Sequence, residues 1–356
     1  SMSTTRELHL LLLLFLPFTS AAPPPPSPAT RFNRTFVREA LDYAAASYAD
    51  DPSGCLARRS ATLMLQLALP CDAARDKCWA MIADAPDRLV VAFQGTNSRS
   101  QLITELLETI TSPKHDIQNV GSVERYFFVA LKSIAVPLAK MLNSLREKYP
   151  KKPLLFTGHS LGGALASLAA TLYTEKYKVP DDMVSLVTFG QPRVGNLEYA
   201  QTVDRIIPDS WRIVHRYDMV AHIPFCPGLF NCVDVFNHSP HHHGTEVWFP
   251  GNMSMHDEYR ICTGMPKDED SSCSNAHYFK LNINDHLYYF DREVSWYGQE
   301  GCPDVPPPIP PPNSTSNSWT GSRSEYRDRN LRRLFSTLSS YKHGGTAGSR
   351  PEWVRS

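Results

Sequence analysis

The sequence lacks a surplus of charge of either sign: 36 Lys and Arg stand against 36 Asp and Glu, for a formal net charge of zero. It also has no dense basic stripe, so nucleic acid is not an expected partner, because binding a phosphate backbone needs concentrated positive charge. No Cys-x-x-Cys occurs among its 8 cysteines, which argues against the common zinc and dithiol redox spacings. No internal repeat is visible. The N-terminal apolar run, Leu8–Phe18, is too short to span a bilayer comfortably.

That run has another reading. Arg6, Leu8–Phe18 and the small residues Ser20-Ala21-Ala22 fit a secretory signal peptide over residues 1–21, cleaved after Ala21. A Pro-rich linker, 22–31, follows and would end a buried helix at once. The expected localisation is therefore secreted, where eight cysteines imply disulfides rather than thiols. Four Asn-x-Ser/Thr triplets, at Asn33, Asn237, Asn252 and Asn313, suit N-glycosylation. Asn237 is the weakest, since Pro240 follows its serine. Residues 303–356 open with "PDVPPPIPPPNSTSNS", too poor in apolar surface to fold. Inside this tail, Leu331, Leu334, Phe335 and Leu338 share a helical face among arginines, which fits a small basic amphipathic helix or a transient one.

The body, 32–302, is normal for one α/β domain. Apolar, β-rich runs at 88–93, 153–157, 184–189 and 211–217 alternate with helical patterns at 123–149 and 161–177. The first two runs are apolar almost throughout, as strands buried on both faces must be. A mostly parallel sheet flanked by helices is expected.

One stretch carries chemistry. In "PLLFTGHSLGGALASLAA" an apolar strand breaks at Gly158-His159-Ser160-Leu161-Gly162 and a helix of small residues begins. A sharp strand-to-helix turn lifts Ser160 Oγ above the sheet and tolerates only small residues on either side. The new helix places the Leu161 amide where negative charge would develop on a substrate carbonyl. A serine also needs a base, and the base a carboxylate to orient it. With the order Ser, Asp, His, Asp218 is expected at the end of the strand "WRIVHRYD", with Asp204, Asp209 and Asp234 as rivals. For the base, His286 in "NINDHLYYF" competes with His215, His222, His256 and His277. Thr96, after the strand of "RLVVAFQGTNS", is either a second oxyanion donor or part of a plain turn.

Five segments, "VVAFQGTNS", "LLFTGHSLGGALASLAA", "TFGQPRVGN", "RIVHRYDMVAHIP" and "DHLYYF", occur in one order between Cys78 and Phe290. In them the chain resembles the class 3, fungal-type triacylglycerol lipases. The resemblance implies an α/β-hydrolase fold with a lid helix, Ser160 as nucleophile, Asp218 as orienter and His286 as base. It also implies oxyanion donors at Thr96 and Leu161, no cofactor, and lipid esters at a lipid–water interface as the substrate partner. The chain departs from the family at Gln94, usually Arg, at Ala221, often Pro, and at Val123-Glu124-Arg125-Tyr126-Phe127, usually Val-His-x-Gly-Phe. These positions tie the scaffold together, so local ion pairs must differ.

After Thr96, where the family keeps its lid, Leu102, Ile103, Leu106, Leu107 and Ile110 share one helical face. A helix of this kind covers an acyl site in water and swings out on lipid, or else docks permanently on the core. By likeness to relatives, Cys262–Cys273 is expected to brace the loop before the base. Cys55–Cys302, Cys71–Cys78 and Cys226–Cys232 are expected as the remaining pairs. His241-His242-His243 has no accompanying ligand set and reads as a solvated loop before a strand. The expected function is a secreted serine hydrolase of the lipase type. Its alternatives are a phospholipase, an esterase of soluble or cell-wall esters, or a non-catalytic lipid-binding protein.

Overall fold

The apolar runs of the sequence become the middle of one sheet. A computed structural model describes residues 32–71, 77–96, 113–226, 238–254, 256–263 and 269–304. Its strands are β1 (Thr62–Pro70), β2 (Lys77–Asp84), β3 (Leu89–Phe93), β4 (Lys114–Ile117), β5 (Gly121–Glu124), β6 (Leu154–His159), β7 (Val184–Phe189), β8 (Asp209–His215), β9 (Thr245–Phe249), β10 (Arg260–Ile261), β11 (Tyr288–Tyr289) and β12 (Arg292–Glu293). Eight of them form a sheet in the order β1-β2-β3-β6-β7-β8-β9-β10. From β3 to β9 every neighbouring pair is parallel. The flanking pairs β1–β2, β2–β3 and β9–β10 are antiparallel. β3 and β6 are buried at every position, which explains their unbroken apolar sequence.

Helices cover both faces. They are α1 (Arg34–Ala46), α2 (Ser53–Ala57), α3 (Arg125–Lys148), α4 (Leu161–Tyr177), α5 (Leu197–Ile206), α6 (Ile283–Leu287) and α7 (Val294–Gln299). α3 is long and apolar enough to cross a bilayer. Its apolar side, however, faces inward: Phe127, Leu131, Ile134, Leu138, Leu142 and Leu145 are buried at three- and four-residue spacing, and the helix packs on β1, β2 and α4. α4 is buried almost all round, and its Gly and Ala residues let it lie close on β3, β6 and β7. α1 lies on the other face, where Thr157 of β6 donates to the Ala40 carbonyl at 3.4 Å.

Two features depart from the sequence reading. β1 and β2 were absent from it, because "TLMLQLALP" shows no polar alternation although β1 is exposed at its ends and half-buried between them. The β8 strand stops at His215, so Asp218 sits in the turn beyond it. At the family departure, buried Glu124 pairs with Lys114; burial pushes its carboxyl up and Lys114 pulls the other way.

Disulfides join Cys55 to Cys302, Cys71 to Cys78 and Cys262 to Cys273. Cys226 is also disulfide-bonded, while Cys232 lies outside the described residues. Cys55–Cys302 ties α2 to the end of α7. Beside it, Asp42 of α1 accepts from Tyr297 Oη at 2.9 Å and Arg59 Nε at 2.8 Å, which fastens the two ends of the body together. Asn33 is exposed and caps α1, its side chain accepting from Phe36 N at 3.2 Å. Asn252 is also exposed. The signal-peptide segment, the tail beyond residue 304, Asn237, Asn313 and the expected lid residues Leu102, Ile103, Leu106, Leu107 and Ile110 lie outside the described residues.

Candidate active site

Ser160 joins β6 to α4 with φ 61° and ψ −130°. A non-glycine residue held there costs about 1–3 kcal/mol, and only surrounding structure keeps it so. Here the Ser160 amide donates to the Phe189 carbonyl at 2.9 Å, and the Gly163 amide donates to the Ser160 carbonyl at 2.9 Å. The glycines are demanded by backbones that nearly touch. A Cβ on Gly158 would overlap the Gly162 carbonyl, and one on Gly162 would overlap the Phe93 carbonyl of β3. A Cβ on Gly95 would overlap the His159 carbonyl and lie 3.0 Å from Ser160 Cβ. The turn that carries Thr96 therefore lies against the elbow, and Leu161 opens α4 on its other side. Ser160 Oγ is buried and has no hydrogen-bond partner among the described residues.

Asp218 is fully buried and His286 nearly so. The His286 Nδ1 lies 2.9 Å from Asp218 Oδ2 and 3.0 Å from Oδ1. Tyr289 Oη donates to Oδ2 at 2.6 Å, and the Val220 amide donates to Oδ1 at 2.8 Å. Burial alone would raise the Asp218 carboxyl, but the charge and hydrogen bond of His286, helped by Tyr289, bring it down to about 2. A carboxylate accepts only, so His286 carries its hydrogen on Nδ1 and presents a bare Nε2. That Nε2, like Ser160 Oγ, is buried without a partner among the described residues. The two side chains belong to one locus. Ser160 is bonded to Phe189, and Gly190, the next residue, packs on both Asp218 and His286.

Gly190, at φ +57°, is a site residue that the sequence reading missed, as is Tyr289. A Cβ on Gly190 would fall 2.5 Å from Asp218 Oδ2 and 2.7 Å from His286 Nδ1. Gly190→Ala should therefore push the pair apart as well as strain the backbone. The expected result is a fall in kcat on the order of 10²-fold, as for an ångström-scale misplacement, with a lowered Tm. Wild-type kcat in this variant would contradict the packing.

The rival candidates have other work. His222 Nδ1 donates to the Asp218 carbonyl at 2.8 Å, and His215 Nδ1 donates to the Asp285 carbonyl at 2.9 Å. His256 is exposed, and His277 packs between Tyr217 and Trp248. Asp204 accepts from the Gly244 amide and Asp209 from Trp211 Nε1. Asp234 lies outside the described residues. Among the described residues, Glu246, Cys262 and Cys273 cluster as metal ligands would, but the two sulfurs are bonded to each other and are not thiolates.

His241-His242-His243 corrects the sequence reading: it is no solvated loop, since all three are buried. His243 Nε2 lies 2.7 Å from Ser167 Oγ, and His242 Nε2 donates to the Ala221 carbonyl at 2.7 Å. Beside them Arg193 and Glu269 form a fully buried bidentate pair at 2.7 Å. Neutral imidazoles with partners are affordable in a core where charged ones are not.

Acid should exploit this. Burial, with the charge of nearby groups behind it, lowers His159 to about 3, His242 well below 6.5, and His222 in the same direction. Below pH 6.5 the unfolded chain takes up protons that the folded one refuses, so stability falls as pH drops. At pH 5 the loss is about 2 kcal/mol for His159, and His242 and His222 act in the same direction. Asp218 and Glu269, both held low, keep their contribution to still lower pH and do not offset this. Calorimetry should show Tm falling from pH 7 to 5; a flat Tm would contradict it.

The lipase (class 3) family model matches residues 90–228. A lipase of Caenorhabditis elegans is 33% identical over 298 residues, covering 76% of this chain and 83% of the relative. The lipase of Rhizopus niveus is 30% identical over 210 residues, 59% of this chain. The match spans 49%, about half, of that fungal relative. A solved structure described as a triacylglycerol lipase whose catalytic centre is formed by a serine protease triad superposes with a TM-score of 0.61. It is 25% identical, over 72% of this chain and 93% of that one. The sheet order and its flanking helices are those of the α/β-hydrolase fold.

Proposed function

This chain belongs to the class 3 lipase family and is a carboxylic ester hydrolase, and from that premise we propose that it is a secreted triacylglycerol lipase acting through Ser160, Asp218 and His286. Ser160 Oγ attacks the ester carbonyl while His286 Nε2 takes its proton. Asp218 keeps the imidazole in the required tautomer and stabilises the imidazolium that forms. The amides of Leu161 and Thr96 receive the oxyanion; losing one such donor costs about 3 kcal/mol of barrier. The alcohol leaves with the proton from His286, and water activated by the same nitrogen releases the fatty acid from the acyl-enzyme.

One observation carries this reading. A buried carboxylate fixes His286 Nδ1 at 2.9 Å, and the two polar atoms that the chemistry needs, Ser160 Oγ and His286 Nε2, are both buried and without hydrogen-bond partners among the described residues. Buried polar atoms without partners are rare unless function requires them. Secretion is supported by the disulfides and by the signal-like N-terminus, with Asn33 and Asn252 exposed for glycans.

The test compares a dissolved short-chain ester with an emulsified long-chain triglyceride. A sharp rise in rate at the emulsion is expected, as the apolar face of Leu102, Ile103, Leu106, Leu107 and Ile110 predicts. Activity confined to the dissolved ester would favour an esterase, and preference for phospholipid vesicles a phospholipase.

A further inference from the structure

The segment that carries His286 has little to hold it. α6 has five residues, too few to be stable alone, and the last carbonyls of a helix have no partners within it. Two imidazoles supply them. His215, at the end of β8, lies with Nδ1 2.9 Å from the Asp285 carbonyl. His159, at the end of β6, lies with Nε2 2.8 Å from the carbonyl of His286 itself. A carbonyl oxygen only accepts, so each imidazole carries hydrogen on the nitrogen named. The His159 ring also stacks on His286, centroids 4.6 Å apart at 26°. Its other nitrogen, Nδ1, accepts from Tyr48 Oη at 2.9 Å. A Cβ on Gly95 would overlap that same hydroxyl, so Tyr48 also packs on the turn before Thr96.

We infer that His159 and His215 are positioning residues: a two-point clamp, one point from each of two sheet strands, that grips successive carbonyls of the base's segment and holds His286 in line between Asp218 and Ser160. This rests on the triad proposed above. Neither imidazole touches the reacting atoms. The residue types suit the task, because an acidic side chain has no hydrogen to donate and a lysine would set a positive charge beside the base. His159 itself stays uncharged, lowered to about 3 by its burial and by the charge of His286. It therefore adds no repulsion when His286 becomes an imidazolium.

The test uses the chemistry of the two nitrogens. Glutamine places an amide nitrogen near the position of histidine Nε2, and asparagine near that of Nδ1. On a dissolved ester, His159→Leu and His215→Leu should lower kcat about 10- to 100-fold with little change in KM, since orientation rather than binding is lost. His159→Gln and His215→Asn should restore most of the rate, whereas His159→Asn and His215→Gln should not. A role in packing alone would not follow this crossed pattern. The Gln and Asn pairs also keep the test decisive if the leucine variants fail to fold. Tyr48→Phe should act in the same direction as His159→Leu, but more weakly.

Fluorophosphonate titration of the wild-type protein is run alongside. No reaction at Ser160 would sink the triad reading itself. Reaction at Ser160 together with wild-type kcat in the leucine variants would overturn the clamp alone. Equal rescue by Gln and Asn at both positions would overturn it too, as would a rise in KM at constant kcat.

Discussion

Ser160→Ala is expected to lower ester hydrolysis about 10⁶-fold while leaving Tm close to that of the wild type, since loss of a triad serine costs on this order. That is about 8 kcal/mol of transition-state stabilisation. The stability half of the expectation follows from the elbow. Alanine keeps the Cβ at φ 61°, so the backbone strain is unchanged. The Oγ that is removed has no hydrogen-bond partner among the described residues, so the change breaks no bond there. The residual rate should come from substrate binding and from the Leu161 and Thr96 amides, which the substitution spares. Measuring kcat on a dissolved ester together with Tm by calorimetry checks both halves. A loss of activity under about 100-fold would mean that Ser160 is not the nucleophile, and a large fall in Tm would contradict the unpartnered Oγ.

Asp218→Asn is expected to lower kcat about 10⁴-fold, and here stability should fall as well. The catalytic loss is a matter of tautomer. An asparagine that offers its NH₂ to His286 Nδ1 draws the hydrogen onto Nε2, where it blocks proton acceptance from Ser160. The stability loss has a separate cause. Asp218 accepts from His286, Tyr289 and the Val220 amide at once, more than one amide oxygen can satisfy. Linkage gives the same sign: a carboxyl lowered from 3.8 to about 2 contributes about 2 kcal/mol. That stability is fully present above pH 3.8 and is lost as pH falls towards 2. Wild-type Tm should therefore fall steeply in that window, and the Asp218→Asn variant should already lack the contribution at neutral pH. An unchanged Tm in Asp218→Asn would contradict the saturated carboxylate, and an unchanged kcat would contradict its role.

The sequence made the elbow legible because its signal is local. Gly158, Ser160 and Gly162 stand two apart between a strand and a helix, and the overlaps at Gly158 and Gly162 show why no larger residue fits there. β3 and β6 were legible for a related reason, since strands covered on both faces lose polar alternation. β1 escaped notice because residues between its leucines, Met64 and Ala68 among them, are apolar too, so its two faces hardly differ in sequence.

The groups that hold the site together were less visible, because they are assembled across the chain. Tyr48 meets His159 from 111 residues away, and Tyr289 meets Asp218 from 71. Gly190 looks in sequence like the end of a strand, and only the packing of Asp218 and His286 against it shows what its missing side chain allows. His241-His242-His243 was misread for a different reason. Polar composition suggests solvent, whereas neutral imidazoles are buried readily once Ser167, Ala221 and their neighbours supply partners.

If Ser160 is a nucleophile activated by His286 and Asp218, a fluorophosphonate should label it in the folded protein, as peptide mapping of the adduct would show. A single adduct is expected on the peptide containing Ser160, formed rapidly in the wild type and far more slowly in Asp218→Asn. No adduct in folded wild-type protein, or an adduct on a different serine, would contradict it.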